Sequence, residues 1–379
     1  MDNKRKFIRA VTVSQSVQFF TGIIPELQNL NFDVIAVSSN GPELQEVLDL
    51  GGQVRVVEMQ RHISLFKDIV SLLRMIRLFR KEKPYAVHSM TPKAGLLCMA
   101  AGKLTKVPIR IHTFTGLIFP TSTGLKRKIL MAADKLICSC ATHIIPEGEG
   151  VKRDLLENKI TKKPIKVLGY GNCRGIDLKR FDRTDDVLEE ARKIRRNDLF
   201  TFITIGRLVG DKGINELVKA FSRLQKEKPN IRLLLVGQYE PQIDSLKPET
   251  IREIKENNAI IEVGQQTDVR PWLAAADCAV LASYREGFPN VVIEAGTMGL
   301  PQVVTDINGA NEIIIAGKNG VIVPPRNSNA LYDAMKRMII DAKWRELLAS
   351  NARNMIANRY EQSFVRKCLL DFYKDIIED

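Results

Sequence analysis

Apolar residues along this chain gather into short runs separated by stretches in which they recur every three or four positions. In the first half the runs predict strands at Phe7–Val13, Asp33–Val37, Gln53–Val57, Tyr85–His88, Ile109–Thr113, Thr142–Ile145 and Ile165–Leu168. In the second half they predict strands at Phe200–Ile205, Arg232–Val236, Ala259–Val263, Cys278–Leu281, Gln302–Val304 and Val321–Val323. The runs are rich in Val and Ile and alternate with helical patterns. That is how parallel strands covered by helices on both faces read in sequence, so the expected class is α/β. The stretch Asn172–Phe181 is turn-rich, and a charged segment over 182–198 separates it from the next apolar run. Two domains are therefore expected, over 1–180 and 181–358. Apolar positions at Phe364, Val365, Cys368, Leu369, Phe372 and Ile376 predict a closing helix within 359–379.

Composition narrows the class. With 379 residues, 45% hydrophobic and 27% charged, the chain can bury two ordinary cores. No apolar run approaches the roughly 20 residues that span a bilayer. The first residues lack the pattern of a secretory signal, so a cytoplasmic location is expected. Cys98, Cys138, Cys140, Cys173, Cys278 and Cys368 form no CxxC pair and no zinc spacing, and they read as free thiols. His62 and His143 stand in no cluster.

Charge adds an asymmetry. Residues 1–180 hold 29 Lys and Arg against 15 Asp and Glu, whereas the remainder is nearly balanced. Residues 61–130 carry 14 basic and only 2 acidic side chains. The first half is thus expected to face an anionic partner: nucleic acid, an acidic membrane surface or a phosphorylated acceptor. No zinc spacing, RNA-binding aromatic signature or recognition helix supports nucleic acid. Basic and apolar residues interleave over Leu72–Lys83 and Gly124–Leu130. Two readings stand for these segments: helices lying on an anionic membrane, or core-facing helices with a solvated basic face.

The chemistry concentrates in the second half. The run Phe200–Ile205 ends in Gly206-Arg207-Leu208, followed by Lys212-Gly213 and a helical pattern. A strand running into a glycine-containing loop puts ligands at the carboxyl edge of the sheet. Arg207 and Lys212 would offer a diphosphate one bidentate and one point-like cation. After Cys278–Leu281 comes Ser283-Tyr284-Arg285-Glu286-Gly287-Phe288-Pro289-Asn290-Val291, with Glu294 in the helix that follows. The positive end of that helix suits the same anion, and Glu294 suits a pair of ribose hydroxyls.

These residues, with Gly299-Leu300-Pro301 and Asn308-Gly309-Ala310, occur in the order seen in glycosyltransferase family 4, and essentially the whole chain resembles it. The resemblance implies the GT-B fold: two Rossmann-like βαβ domains facing across a cleft, an N-terminal acceptor domain, a C-terminal nucleotide-sugar domain, and a last helix crossing back. It implies a retaining transferase in which Arg207 and Lys212 neutralise the donor diphosphate with no metal and no other cofactor. By the same resemblance Gly206 belongs to the donor-binding loop, and Phe288, Pro289, Asn290 and Val291 form the turn that lies under the phosphates. Glu294 holds the ribose, Glu286 lies near the donor sugar, and Gly264, Gln265 and Gln266 read the base. The leaving diphosphate would take the acceptor proton on the same face. The implied donor is a nucleotide sugar, with uridine diphosphate as the carrier found among surface-polysaccharide relatives. The implied acceptor is a saccharide or a lipid-diphosphate-linked saccharide.

The first half departs from the family. The loop after the first run reads Ser14-Gln15-Ser16-Val17, with no paired glycines, so Ser14 and Ser16 are the expected donors there. In His112-Thr113-Phe114-Thr115-Gly116, Thr115 stands where relatives carry a histidine. His112 then either contributes a polar group towards the acceptor or is a satisfied structural histidine. Lys93 is either an acceptor-phosphate contact or a surface lysine. Two other functions remain open on these residues: a nucleotide-binding protein of this fold without transferase activity, and a nucleotide-sugar epimerase.

Overall fold

The computed structural model describes residues 4–60 and 64–378. The chain forms two compact units, Met1–Gly175 together with Ser363–Asp379, and Ile176–Gln362. The first break thus falls a few residues before the expected one, and the last helix, Gln362–Glu378, packs as part of the first unit.

The first unit is built on a six-stranded sheet of β1 (Arg5–Ala10), β2 (Phe32–Ser38), β3 (Gln53–Val56), β4 (Ala86–Ser89), β5 (Ile109–Phe114) and β6 (His143–Pro146). Its order is β3-β2-β1-β4-β5-β6, and every ladder is parallel. The second unit repeats the plan with β7 (Phe200–Ile205), β8 (Ile231–Val236), β9 (Ile260–Gly264), β10 (Cys278–Leu281), β11 (Gln302–Thr305) and β12 (Gly320–Val323), in the order β12-β11-β10-β7-β8-β9. Its ladders are parallel too.

Each sheet is covered on both faces, which is why its strands read as apolar runs rather than alternating ones. On β2, Val34 and Ala36 join one core cluster while Ile35 and Val37 join the other. On β8, Leu234 and Val236 face one side and Leu233 and Leu235 the other. All four of these β8 side chains are essentially unexposed. Burying a side chain of this size contributes about 1.5–3 kcal/mol.

One predicted strand is absent. Ile165–Leu168 joins no ladder among the described residues. The Lys163 ammonium donates to the Cys138 carbonyl at 2.7 Å and to the Ala141 carbonyl, which pins this segment to the end of the helix Gly124–Cys140. Ile165 then packs with the cluster on one face of the sheet and Leu168 with that on the other. The segment therefore wraps past the edge strand β6 instead of pairing with it.

In both sheets the chain starts in the middle, builds outward one way, then returns to build the other way. The reversal lies between β1 and β4 in one unit and between β7 and β10 in the other. Loops leaving the carboxyl ends of such neighbouring strands diverge and open a crevice there, the usual ligand position in open α/β sheets.

Candidate functional site

At the reversal point of the second unit two loops are locked together. The first leaves β7 through Gly206 and Arg207, and buries Leu208 and Val209. The Leu208 N–H donates to the Gln238 carbonyl at 2.8 Å, which extends the sheet past the strand ends. A single helical turn, Gly210–Lys212, follows. Gly213 then takes φ +67°, and a Cβ there would stand 2.0 Å from the Ala282 carbonyl oxygen. Only glycine permits that approach. It brings the loop after β7 against the loop after β10.

The second loop carries Ser283, Tyr284, Arg285 and Glu286. The Ser283 hydroxyl donates to Glu286 Oε1 at 2.8 Å, and Lys212 Nζ donates to the same oxygen. Arg285 donates to Asp211 Oδ2 at 3.0 Å, and the Tyr284 N–H donates to the Asp211 carbonyl at 2.9 Å. The Tyr284 hydroxyl donates to Glu216 at 2.6 Å. Beneath, the Thr305 hydroxyl donates to the Ser283 carbonyl at 2.6 Å. Gly309, at φ +74°, lies so close to the Gly287 carbonyl that an added Cβ would stand 2.5 Å from it.

The loop ends in a helix, Asn290–Thr297, with Pro289 as its N-cap and Asn290 and Val291 in the first turn. Pro289 stands one position earlier than the first helical residue, where its missing N–H costs nothing. Phe288 is core, its ring 5.5 Å from that of Tyr360. Glu294 is half-buried, one turn into the helix. Arg207 donates to Glu240 Oε2 at 3.3 Å. Gly264 closes β9 at φ +76°, and the Gln266 amide donates to the Val263 carbonyl at 3.1 Å, while Gln265 is exposed.

The structure thus brings Lys212 and Glu286, read separately in the sequence as a diphosphate cation and a sugar-side carboxylate, into direct contact. It also shows that each cation of the site is held by a carboxylate: Lys212 by Glu286 and Arg207 by Glu240. Sequence reasoning assigned no role to Ser283, Glu240 or Asp211. Glu240 lies 33 positions from Arg207 and leaves no local signal. Ser283 precedes Glu286 by three, a spacing that could have suggested a shared hydrogen bond.

The first-unit candidates are occupied otherwise. Ser14 is buried and donates to Glu43 Oε2 at 2.5 Å, and Ser16 is half-buried in the same 3-10 turn, Ser14–Phe19. Lys93 donates to Asp68 Oδ2 at 2.5 Å. The Thr115 hydroxyl donates to the Met90 carbonyl at 2.9 Å. His112 is 1% exposed. Its Nδ1 lies 2.9 Å from the Ser89 hydroxyl, its ring stacks edge-on to Phe114 at 4.5 Å, and it fills the space that a side chain at Gly95 would need. Burial lowers its pKa to about 3, so the imidazole is neutral. His62 lies outside the described residues. Among the described residues no group of three or more His, Cys, Asp or Glu is placed to hold a metal ion.

Two six-stranded parallel sheets with cations and carboxylates gathered at a reversal point define a two-domain α/β protein of nucleotide-handling type. Comparison with known proteins gives the family. The pattern described as glycosyl transferases group 1 matches residues 187–355, and that of the glycosyl transferase 4-like domain matches residues 17–171. The capsular polysaccharide biosynthesis glycosyltransferase CapM of Staphylococcus aureus is 34% identical over 99% of this chain and 98% of its own length. The UDP-Gal:alpha-D-GlcNAc-diphosphoundecaprenol alpha-1,3-galactosyltransferase of Escherichia coli is 28% identical over 93% of this chain and 91% of its own. The Anabaena protein HepE, solved in complex with UDP, superposes with a TM-score of 0.81 at 18% identity, over 98% of this chain and 100% of its own, and shows the fold to be GT-B. This chain belongs to glycosyltransferase family 4, among the transferases of surface-polysaccharide synthesis, and is a glycosyltransferase.

Proposed function

We propose that the enzyme moves a hexose or N-acetylhexosamine from a UDP-sugar onto a lipid-diphosphate-linked saccharide, with retention at the anomeric carbon and without a metal ion. The observation that carries this reading is the convergence of Lys212, Ser283 and Glu286 at the reversal point of the second sheet, beside the start of the helix Asn290–Thr297. Support for the substrates comes from the E. coli relative, whose name gives UDP-Gal as donor and a diphosphoundecaprenol acceptor, and from HepE, which was solved with UDP.

On this reading Lys212, Arg207 and the helix end hold the diphosphate over Gly206 and the turn Phe288–Val291. Glu294 accepts from the ribose hydroxyls, and the backbone of Gly264–Gln266 reads the base. Glu286 accepts from a hydroxyl of the transferred sugar. The acceptor oxygen bonds to the anomeric carbon on the face from which the diphosphate departs. The sugar–diphosphate C–O bond breaks, and the acceptor proton passes to a phosphate oxygen. The protein accelerates this step by orienting both partners and by stabilising charge on the leaving diphosphate.

The first unit is assigned the acceptor, with Ser14, Ser16, Lys93 and Thr115 as its candidate contacts and His112 buried beneath them, and an attachment to anionic membrane. The helix Leu65–Glu82 exposes Phe66 (79%), Ile69 and Leu73, with Lys67, Arg74 and Arg77 beside them. The helix Gly124–Cys140 exposes Leu125 (73%), Ile129 and Leu136 beside Lys126 and Lys128. Apolar side chains flanked by cations suit the headgroup region of an acidic bilayer. Among the described residues no helix is long and apolar enough to cross a membrane.

The test of the donor is thermal stabilisation by UDP, GDP and ADP, each with and without EDTA. A nucleotide at 100 times its dissociation constant adds about 2.7 kcal/mol to the native state. A shift with UDP alone that survives EDTA supports the reading, and equal shifts with all three overturn the choice of base. For the membrane, sedimentation with vesicles of anionic lipid at low salt is expected and with neutral vesicles is not. Unchanged sedimentation of a Phe66→Glu, Leu125→Glu double variant would remove these helices from the account.

A further inference from the structure

Glu286 has two hydrogen-bond partners of different kinds on one oxygen. Lys212 reaches Oε1 as a cation on a flexible stem, and Ser283 reaches it as a neutral hydroxyl on a fixed one. Ser283 is wholly buried, and its carbonyl is tied down by the Thr305 hydroxyl, itself wholly buried on β11. Among the described residues both bonds fall on Oε1, so Oε2 remains for a ligand hydroxyl. A diphosphate arriving at Lys212 offers the ammonium stronger anionic oxygens and repels the adjacent carboxylate. The pair with Lys212 is therefore exchangeable, and the bond with Ser283 is not.

We propose that Glu286 is an exchangeable counter-ion of Lys212 that the donor diphosphate displaces, and that Ser283 is the positioning residue that keeps the displaced carboxylate aimed at the donor sugar. This rests on the donor-site reading above. Its consequence has an unusual sign. Removing the negative charge of Glu286 removes an internal competitor for Lys212, so nucleotide diphosphate binds more tightly while the sugar is handled worse. A carboxylate that served only to hold the sugar would leave UDP binding unchanged.

The experiment measures UDP binding by calorimetry and hydrolysis of whichever of UDP-glucose, UDP-galactose or UDP-N-acetylglucosamine the full-length enzyme cleaves fastest. A charge-assisted hydrogen bond exceeds a neutral one by enough that E286Q is expected to bind UDP about tenfold more tightly than the parent, with slower hydrolysis. K212A is expected to lose UDP affinity, and K212A with E286Q to bind no better than K212A alone. S283A is expected to keep its UDP affinity within about twofold while hydrolysis falls about tenfold, since the lost hydroxyl positions and does not neutralise. UDP affinity in E286Q equal to the parent, with K212A impaired, overturns the exchange and leaves the donor site standing. K212A binding UDP as the parent does, or a parent that binds no UDP, overturns the donor-site reading itself. E286Q is isosteric, so the exchange remains testable even where S283A fails to fold.

Discussion

The guanidinium of Arg9 on β1 donates to the phenol oxygen of Tyr373 on the last helix, 364 positions away, and both side chains are wholly buried. Among the described residues no carboxylate forms an ion pair with this guanidinium. Its other contacts are His88 Nδ1 at 3.0 Å, Met90 Sδ at 2.9 Å and the Phe20 ring at 5.1 Å. Burial pulls the Arg9 pKa below its ordinary value, and its Nε has no partner among the described residues. The last helix is therefore bonded to the centre of the first sheet as well as packed on it. Tyr373→Phe removes an acceptor from a buried charge, and a loss of about 2–3 kcal/mol is expected. Faster amide exchange along β1 and β4, with β7 and β8 unaffected, is the measurement that checks it.

A pH dependence follows from the same sheet. Arg9 only donates, so His88 Nδ1 is the unprotonated nitrogen, and Nε2–H donates to the Thr113 hydroxyl at 2.7 Å. Burial holds the His88 pKa well below 6.5 and brings that of His112 to about 3. Both groups are neutral when folded and take up a proton near pH 6.5 when unfolded. Their folded pKa values are depressed, so their contribution is fully present above about pH 6.5 and is lost as pH falls towards the folded values. Between pH 7 and pH 5 His112 alone accounts for about 2 kcal/mol, and His88 adds in the same direction. Urea midpoints at pH 7, 6 and 5 should fall steadily in the parent and less steeply in His112→Asn.

In the proposed mechanism Lys212 neutralises charge that develops on the departing diphosphate. Losing one such group typically costs about 10²–10³ in rate, and that loss is expected for Lys212→Ala with an unchanged circular dichroism spectrum. Near-normal turnover by this variant would remove Lys212 from the mechanism.

Two glycines separate backbone conformation from close approach. Gly299, at φ +78°, has nothing within 4 Å of an added Cβ, whereas at Gly213 the Ala282 carbonyl intervenes. Gly299→Ala should cost only the left-handed backbone penalty, about 1–2 kcal/mol, and leave UDP affinity unchanged. Gly213→Ala should cost more, because it also pushes the loop after β7 away from the loop after β10, and should weaken UDP binding. Equal UDP affinity in the two variants would show that the loop contact does not shape the site.

The chain's periodicity specified twelve of its strands, the two-domain plan and the loops that carry Arg207, Lys212 and Glu286. Those are properties of local burial and turn chemistry, which residues a few positions apart record. Other features had no local record. Ile165–Leu168 has the composition of a strand, yet Lys163 and packing on both faces of the edge decide against it. The last helix has an apolar face that would suit either unit, and Tyr373 meeting Arg9 is what ties it to the first. Arg207 pairs with Glu240, and Lys212 with Glu286 across 74 positions, because the crossovers bring loops from neighbouring strands to one edge. Sequence determined which faces are buried and which residue types reach the edge. Only tertiary structure decided their partners, since side chains distant along the chain meet only once the sheet order has been set.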